Sequence, residues 1–89
     1  MAQKVSITLQ NTDEARSLIE AIEQDNPEAE VNVFPAMVKI DCPKRLVLKR
    51  GTVEEKLGRE WDLQEMQLSL ISLAGNIDED DDEFVLEWN

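Results

Sequence analysis

Val5-Ser6-Ile7-Thr8-Leu9-Gln10-Asn11-Thr12-Asp13-Glu14-Ala15-Arg16-Ser17-Leu18-Ile19-Glu20-Ala21-Ile22 changes its hydrophobic period part-way along. Val5, Ile7 and Leu9 alternate with polar neighbours, the period of a half-buried strand. Ala15, Leu18, Ile19 and Ile22 then fall at i, i+3, i+4 and i+7, the apolar stripe of a helix over about residues 12–25. Asn11, three residues before Glu14, has the spacing of a capping box. Asn26-Pro27 ends the helix, because proline disfavours the helical state in the residue before it. A strand running straight into a helix opens a mixed fold.

Downstream, Val31 and Val33, then Val38, Ile40 and Cys42, then Leu46 and Leu48 read as short strands separated by Pro35 and Pro43. A second helix is expected to open at Thr52, with Glu55 completing its capping box. Val53, Leu57 and Trp61 lie on one side, and Gly58 weakens its end. Met66, Leu68 and Leu70 alternate like a strand, and Phe84, Leu86 and Trp88 form the last one. The resulting order, β-α-β-β-β-α-β-β, is that of an α+β domain with two helices packed on a largely antiparallel sheet. With 89 residues, the chain is expected to form a single domain over 1–89 with one modest core.

The apolar phase slips after Leu70, since Ile71 and Leu73 fall on odd positions. A period of two cannot place both sets on one face, so a bulge or strand end is expected at Leu70–Ile71. Ser69 to Asn76 should be an irregular rim of small residues beside an exposed acidic loop, Asp78-Glu79-Asp80-Asp81-Asp82-Glu83.

Composition excludes more than it suggests. There is no histidine, hence no imidazole base and no imidazole ligand for zinc or iron. The one cysteine, Cys42, cannot make an internal disulfide and reads as a small buried hydrophobe. The acidic run lacks the alternating spacing and glycine of a calcium loop. Carboxylate pairs such as Glu20/Glu23 and Glu54/Glu55 fall on expected exposed helix faces, and nothing in the sequence implies the pKa-shifting cleft that a catalytic pair needs. No catalytic, cofactor-binding or metal site is therefore expected.

Nine basic against 20 acidic residues give a net charge of −11, which disfavours nucleic acid and anionic membranes as partners. Between residues 39 and 59, Lys39, Lys44, Arg45, Lys49, Arg50, Lys56 and Arg59 face only Asp41, Glu54 and Glu55. That segment holds +4 and leaves −15 on the rest. The asymmetry suits either orientation against a charged partner or ordinary solvated faces. The start, Met1-Ala2-Gln3-Lys4, leads directly into the first strand with no leader-like apolar block. Runs such as Phe34 to Val38 fall far short of the ~20 residues of a membrane span. A cytoplasmic location is expected.

Three stretches together resemble a known family: Glu20-Ala-Ile-Glu-Gln-Asp-Asn-Pro27, Phe34-Pro-Ala-Met-Val-Lys-Ile-Asp41 and Leu57-Gly-Arg-Glu-Trp-Asp-Leu63. They are similar to the regulatory (effector, or coupling) components of multicomponent phenol hydroxylases. These are effector proteins of the soluble bacterial di-iron monooxygenases, which include methane and toluene systems. The likeness runs from Val5 to Trp88. It implies a cofactor-free, non-catalytic protein that binds a di-iron hydroxylase, adjusts its active-site helices and access, and couples reductant use to aromatic hydroxylation. It also implies interplay with the iron–sulfur flavin reductase of the same system.

The methane member carries a Ser-Ser-Thr-Ile-Gly run facing its hydroxylase. The matching positions are Ile71, Ser72, Leu73, Ala74 and Gly75, with identity kept at Ser72 and Gly75. Partner binding is accordingly expected at Ser69, Ile71, Ser72, Leu73, Ala74, Gly75 and Asn76. Small residues there would admit a close helix, and Ile71 or Leu73 would anchor it. From the residues alone two other classes stay open. A small cytoplasmic ligand-sensing α+β domain predicts a preformed pocket. An acidic mimic of nucleic acid is opposed by the basic 39–59 segment.

Overall fold

A computed structural model describes residues 4–88, so the expected lack of a leader at Met1 to Gln3 lies outside the described residues. The strands are β1 (Lys4–Gln10), β2 (Glu30–Val33), β3 (Met37–Pro43), β4 (Arg45–Lys49), β5 (Leu70–Ala74), β6 (Asn76–Glu79) and β7 (Glu83–Glu87). Helix α1 spans Asp13–Asp25, α2 spans Arg50–Leu57, and a 3-10 helix covers Leu63–Leu68. Every strand pair is antiparallel, and the strands divide into two sheets ordered β2-β3-β1-β5 and β4-β7-β6. The α+β class and its antiparallel character stand as read from the sequence.

Two backbone corners carry the chain between the sheets. Lys44, with φ 67°, separates β3 from β4; Gly75, with φ 140°, separates β5 from β6. At the first corner the Cys42 thiol donates to the Arg45 carbonyl at 3.1 Å. At the second, a Cβ on Gly75 would lie 2.9 Å from Leu86 Cγ and 3.1 Å from Val5 Cγ1. Glycine is needed there both for its conformation and for its lack of a side chain.

One core joins both sheets and both helices. Val5, Ile7 and Leu9 of β1 oppose Cys42, Ile40 and Val38 of β3, all buried. Ala15, Leu18, Ile19, Ala21 and Ile22 of α1 meet them together with Leu46, Leu48, Phe84 and Leu86 of the second sheet. Burying each Leu, Ile or Phe is worth about 1.5–3 kcal/mol relative to exposure. The faces that sequence periodicity assigned to the interior are buried in β1, α1, β3 and β4, whereas Val33, Leu68 and Trp88, read as apolar-face strand residues, are exposed.

Local details depart from the expectations in four places. Helix α1 is capped by Thr12, whose hydroxyl accepts from the Ala15 amide at 3.1 Å. Asn11 instead donates its side-chain amide to the Phe34 carbonyl. Helix α2 starts two residues earlier than expected, at Arg50, with Lys49 as a cap that makes no side-chain bond. Thr52 therefore sits inside the helix, buried, where a capping box cannot form.

The capping box forms further on. Asp62 accepts from Gln64 N–H, and Glu65 accepts from Asp62 N–H at 2.9 Å. It starts the 3-10 helix in the stretch whose Met66-Leu68-Leu70 alternation read as a strand. Leu63, Met66 and Ser69 are buried at a spacing of three, the period of that helix. Leu68 is thrown outward.

The acidic run, in turn, is only partly a loop: Asp78 and Glu79 belong to β6, an additional strand. Asp80 closes the β6–β7 turn by accepting from the Asp82 and Glu83 amides at 2.8 and 2.9 Å. Those two donors hold its carboxyl below the usual aspartate range.

Candidate docking surface

Strands β5 and β6 are consecutive in the chain, and each is one of the two edge strands of its own sheet. Between them sits the Gly75 corner. β1 pairs Ser6 with Ala74, Ile7 with Leu73 and Thr8 with Ser72, but Leu9 with Leu70. Ile71 is therefore the extra residue of a bulge, at the place where the apolar phase slips. A bulge turns its side chain out of the pleat, and Ile71 is 49% exposed.

The residues expected to bind a partner divide into two groups. Ile71, Ser72, Ala74 and Asn76 are exposed along the edge. Ser69, Leu73 and Gly75 serve the fold. Ser69 is buried and its carbonyl accepts from the Gln10 amide at 2.7 Å. Leu73 packs partly buried against the core, and Gly75 fits between Leu86 and Val5. Ser72 and Ala74 stand beside Thr8 and Ser6 on the sheet face opposite Val5, Ile7 and Leu9. Small side chains keep that part of the surface low.

Four of the seven basic residues between 39 and 59 are ion-paired within the chain. Lys39 lies 3.9 Å from Asp41, Arg45 3.7 Å from Glu87 and Arg50 3.4 Å from Glu54. Arg59 reaches both Glu14 and Glu65, at 3.2 and 3.5 Å. These exposed pairs contribute little individually, yet they leave less free positive charge than the count implies. Glu54 also accepts from the Trp61 amide at 2.9 Å, fastening the chain after α2 back onto the helix. That bond first, with the Arg50 guanidinium, holds the Glu54 carboxyl below its ordinary range against an opposing desolvation effect.

Chemistry at the remaining candidates is muted. Burial, and secondarily Glu28, push the Cys42 thiol upward, away from a reactive thiolate. Among the described residues no three acidic or cysteine side chains are placed to hold a metal. A groove of about 250 Å³ between Arg50, Asp62 and the acidic turn is walled mainly by polar groups. No helix among the described residues is long and apolar enough to cross a membrane.

Sequence reasoning passed over Val33, Phe34 and Met37, exposed apolar residues of the β2–β3 hairpin. Val33 continues the alternation begun at Val31 past the edge of the core, whereas Phe34 and Met37 fall outside any apolar period.

The model of the MmoB/DmpM family matches residues 3–87. The stimulatory component DmpM of a phenol 2-monooxygenase from Pseudomonas sp. (strain CF600) is 56% identical over 88 residues, covering 99% of this chain and 98% of that protein. A chain from a solved phenol hydroxylase–regulatory protein complex superposes with a TM-score of 0.93 at 57% identity. It covers 98% of this chain and 100% of its own. The soluble methane monooxygenase regulatory protein B shares the fold, with a TM-score of 0.76 at 20% identity over 97% of this chain and 65% of its own.

Proposed function

The chain belongs to the MmoB/DmpM family, and on that premise we propose that its exposed β5–β6 edge, within residues 69–76, docks on a di-iron hydroxylase. The chain is a stimulatory, regulatory component of a phenol hydroxylase system and not its catalytic subunit. Its partner is the hydroxylase component, as in the complexes its relatives form. Within the proposal, Ile71 inserts as an apolar anchor, while Ser72 and Ala74 let a partner helix approach the backbone closely. Ser69, Leu73 and Gly75 hold the edge in shape.

Activation follows from differential binding. A protein without an active site accelerates its partner only by favouring an active conformation over the resting one. A hundredfold change in that equilibrium needs about 2.7 kcal/mol of differential affinity. An interface of ordinary size supplies that. Docking adjusts helices near the iron and the access of substrate and oxygen, so that electrons from the iron–sulfur flavin reductase are used for hydroxylation. The proposal places all three components in the cytoplasm, without nucleic acid or membrane as partners, and treats residues 1–89 as one effector domain.

The observation that carries this reading is the bulged, uncharged β5 edge with Ile71 exposed, at the positions where the family resemblance implies contact with the hydroxylase. Titrating the chain into hydroxylase plus reductase tests it. Product formation should rise to a maximum near equimolar ratios, with less reductant wasted per product. Turnover and coupling that do not change across the titration would refute it.

A further inference from the structure

Charge is withheld from specific parts of this chain. Of its 89 residues 33% are charged, yet 5–12, 31–38 and 66–77 carry no charge at all, and no other uncharged run exceeds three residues. The fold brings these three runs together: they form or flank β1, the β2–β3 hairpin and β5, neighbours in one sheet. Only part of this is core. Val5, Ile7, Leu9 and Val38 are buried, but much of the remainder faces outward.

The outward part converges on one end of the sheet. The Gln10 amide donates to the Ser69 carbonyl at 2.7 Å, where β5 begins. Next to it, the Asn11 amide donates to the Ala36 carbonyl at 3.2 Å and the Asn11 side chain to the Phe34 carbonyl at 3.0 Å. Gln10 and Asn11 thus bracket the hairpin tip on one side and the start of the rim on the other. Five of the seven exposed large apolar side chains among the described residues lie at this end: Val33 (69% exposed), Phe34 (43%), Met37 (37%), Leu68 (72%) and Ile71 (49%). A chain of net charge −11 has ample charge with which to solvate such a surface, yet the three runs hold none, and the nearest charge on the outward face of β3 is Lys39, cross-strand from Thr8 and Asn32.

We infer that the hairpin tip, through Val33, Phe34 and Met37 with Leu68, forms a second contact area for the hydroxylase component, seated on an uncharged, apolar surface of that partner. The inference rests on the docking reading above and extends it beyond residues 69–76. Depletion of charge with enrichment of Phe and Met is the signature of an interface centre, and contiguous exposed apolar surface on a soluble protein marks an interaction site. The hydroxylase is the occupant because this patch adjoins the rim: Gln10, bonded to Ser69, and Asn11, bonded to Ala36 and Phe34, are neighbours at the end of β1. A second copy of the chain would bring another −11 against the first.

Val33→Asp and Phe34→Asp place charge in the patch at exposed side chains, Ser72→Trp perturbs the rim alone, and Phe34→Leu keeps the patch apolar. Calorimetric titration of each into the hydroxylase component, beside its melting temperature, tests the inference. Both aspartate variants should stay folded and lose about tenfold or more in affinity, while Phe34→Leu remains within about threefold of the parent. If Phe34→Asp unfolds, Val33→Asp decides. Unchanged affinity in the aspartate variants, with loss in Ser72→Trp, would overturn the inference and leave the rim reading standing. Failure of the parent chain itself to bind would overturn both. A parent dimer in sedimentation that Phe34→Asp dissolves, at unaltered hydroxylase affinity, would make the patch a self-association surface and also overturn it.

Discussion

Asn26 and Val47 are joined by two hydrogen bonds: the Val47 amide donates to Asn26 Oδ1 at 2.9 Å, and Asn26 Nδ2 donates to the Val47 carbonyl at 2.6 Å. Asn26 Nδ2 also donates to the Ile22 carbonyl at 2.8 Å. One side chain thereby closes the end of α1 and occupies backbone groups on β4, the edge strand of its sheet. Capping the Val47 backbone groups in the middle of β4 disfavours pairing of that edge with another chain.

Asn26→Ala should therefore cost about 2 kcal/mol, since it leaves several backbone groups of a partly enclosed site without partners. For a domain of this length that corresponds to about 10 °C in melting temperature. Thermal unfolding followed by circular dichroism measures it. A loss of only a few tenths of a kcal/mol would mean that water replaces the side chain freely.

The three glycine and corner positions should respond differently to one methyl group. Gly75→Ala should destabilise by about 2 kcal/mol, because the new Cβ would crowd Leu86 and Val5 at a positive φ. Gly51→Ala, in α2 with nothing within 4 Å, should stabilise by about 0.4–1 kcal/mol. Lys44→Gly should gain up to about 1 kcal/mol by relieving its left-handed backbone. Denaturant midpoints for the three variants check the signs. A stable Gly75→Ala would remove the packing explanation for that glycine.

Acid sensitivity should trace in part to Glu54 and Asp80. Folding lowers the pKa of both carboxyls from ordinary values of 4.5 and 3.8. A depressed carboxyl stabilises the fold fully above its unfolded value and loses that contribution as pH falls through the lower folded value. Stability from Glu54 should thus begin to fall near pH 4.5, and that from Asp80 near 3.8. Melting curves of Glu54→Gln and Asp80→Asn between neutral and strongly acidic pH should lie below the parent at neutrality and converge with it in acid. Parallel curves would contradict the assignment.

The sequence made the fold class and the position of the bulge readable because both rest on local period. Val5 to Leu9 and Ala15 to Ile22 bury the faces their spacing predicts, and the phase slip at Leu70–Ile71 is the bulge itself. The strand expected at Met66–Leu70 failed because a period of two and a period of three coincide over so few residues. Asp62 and Glu65, which start the 3-10 helix, were the overlooked signal. Division into two sheets depends on the Lys44 and Gly75 corners, and the Asn26–Val47 bond spans 21 residues. Neither leaves a local pattern. At the candidate site, sequence reasoning located the bulge but expected an irregular rim over Ser69 to Asn76, where the chain forms the paired strands β5 and β6 about the Gly75 corner. It could not separate the exposed Ile71, Ser72 and Ala74 from the inward Ser69, Leu73 and Gly75, since that division follows from pairing with β1.

The most direct test of the central claim is product formation by hydroxylase plus reductase, titrated with the parent chain and with Ile71→Asp of equal melting temperature. The parent should reach its maximum near equimolar protein. Ile71→Asp, with a charge on the bulge, should need at least about thirtyfold more, equivalent to about 2 kcal/mol of lost docking energy. Superimposable curves would contradict docking through the β5 edge.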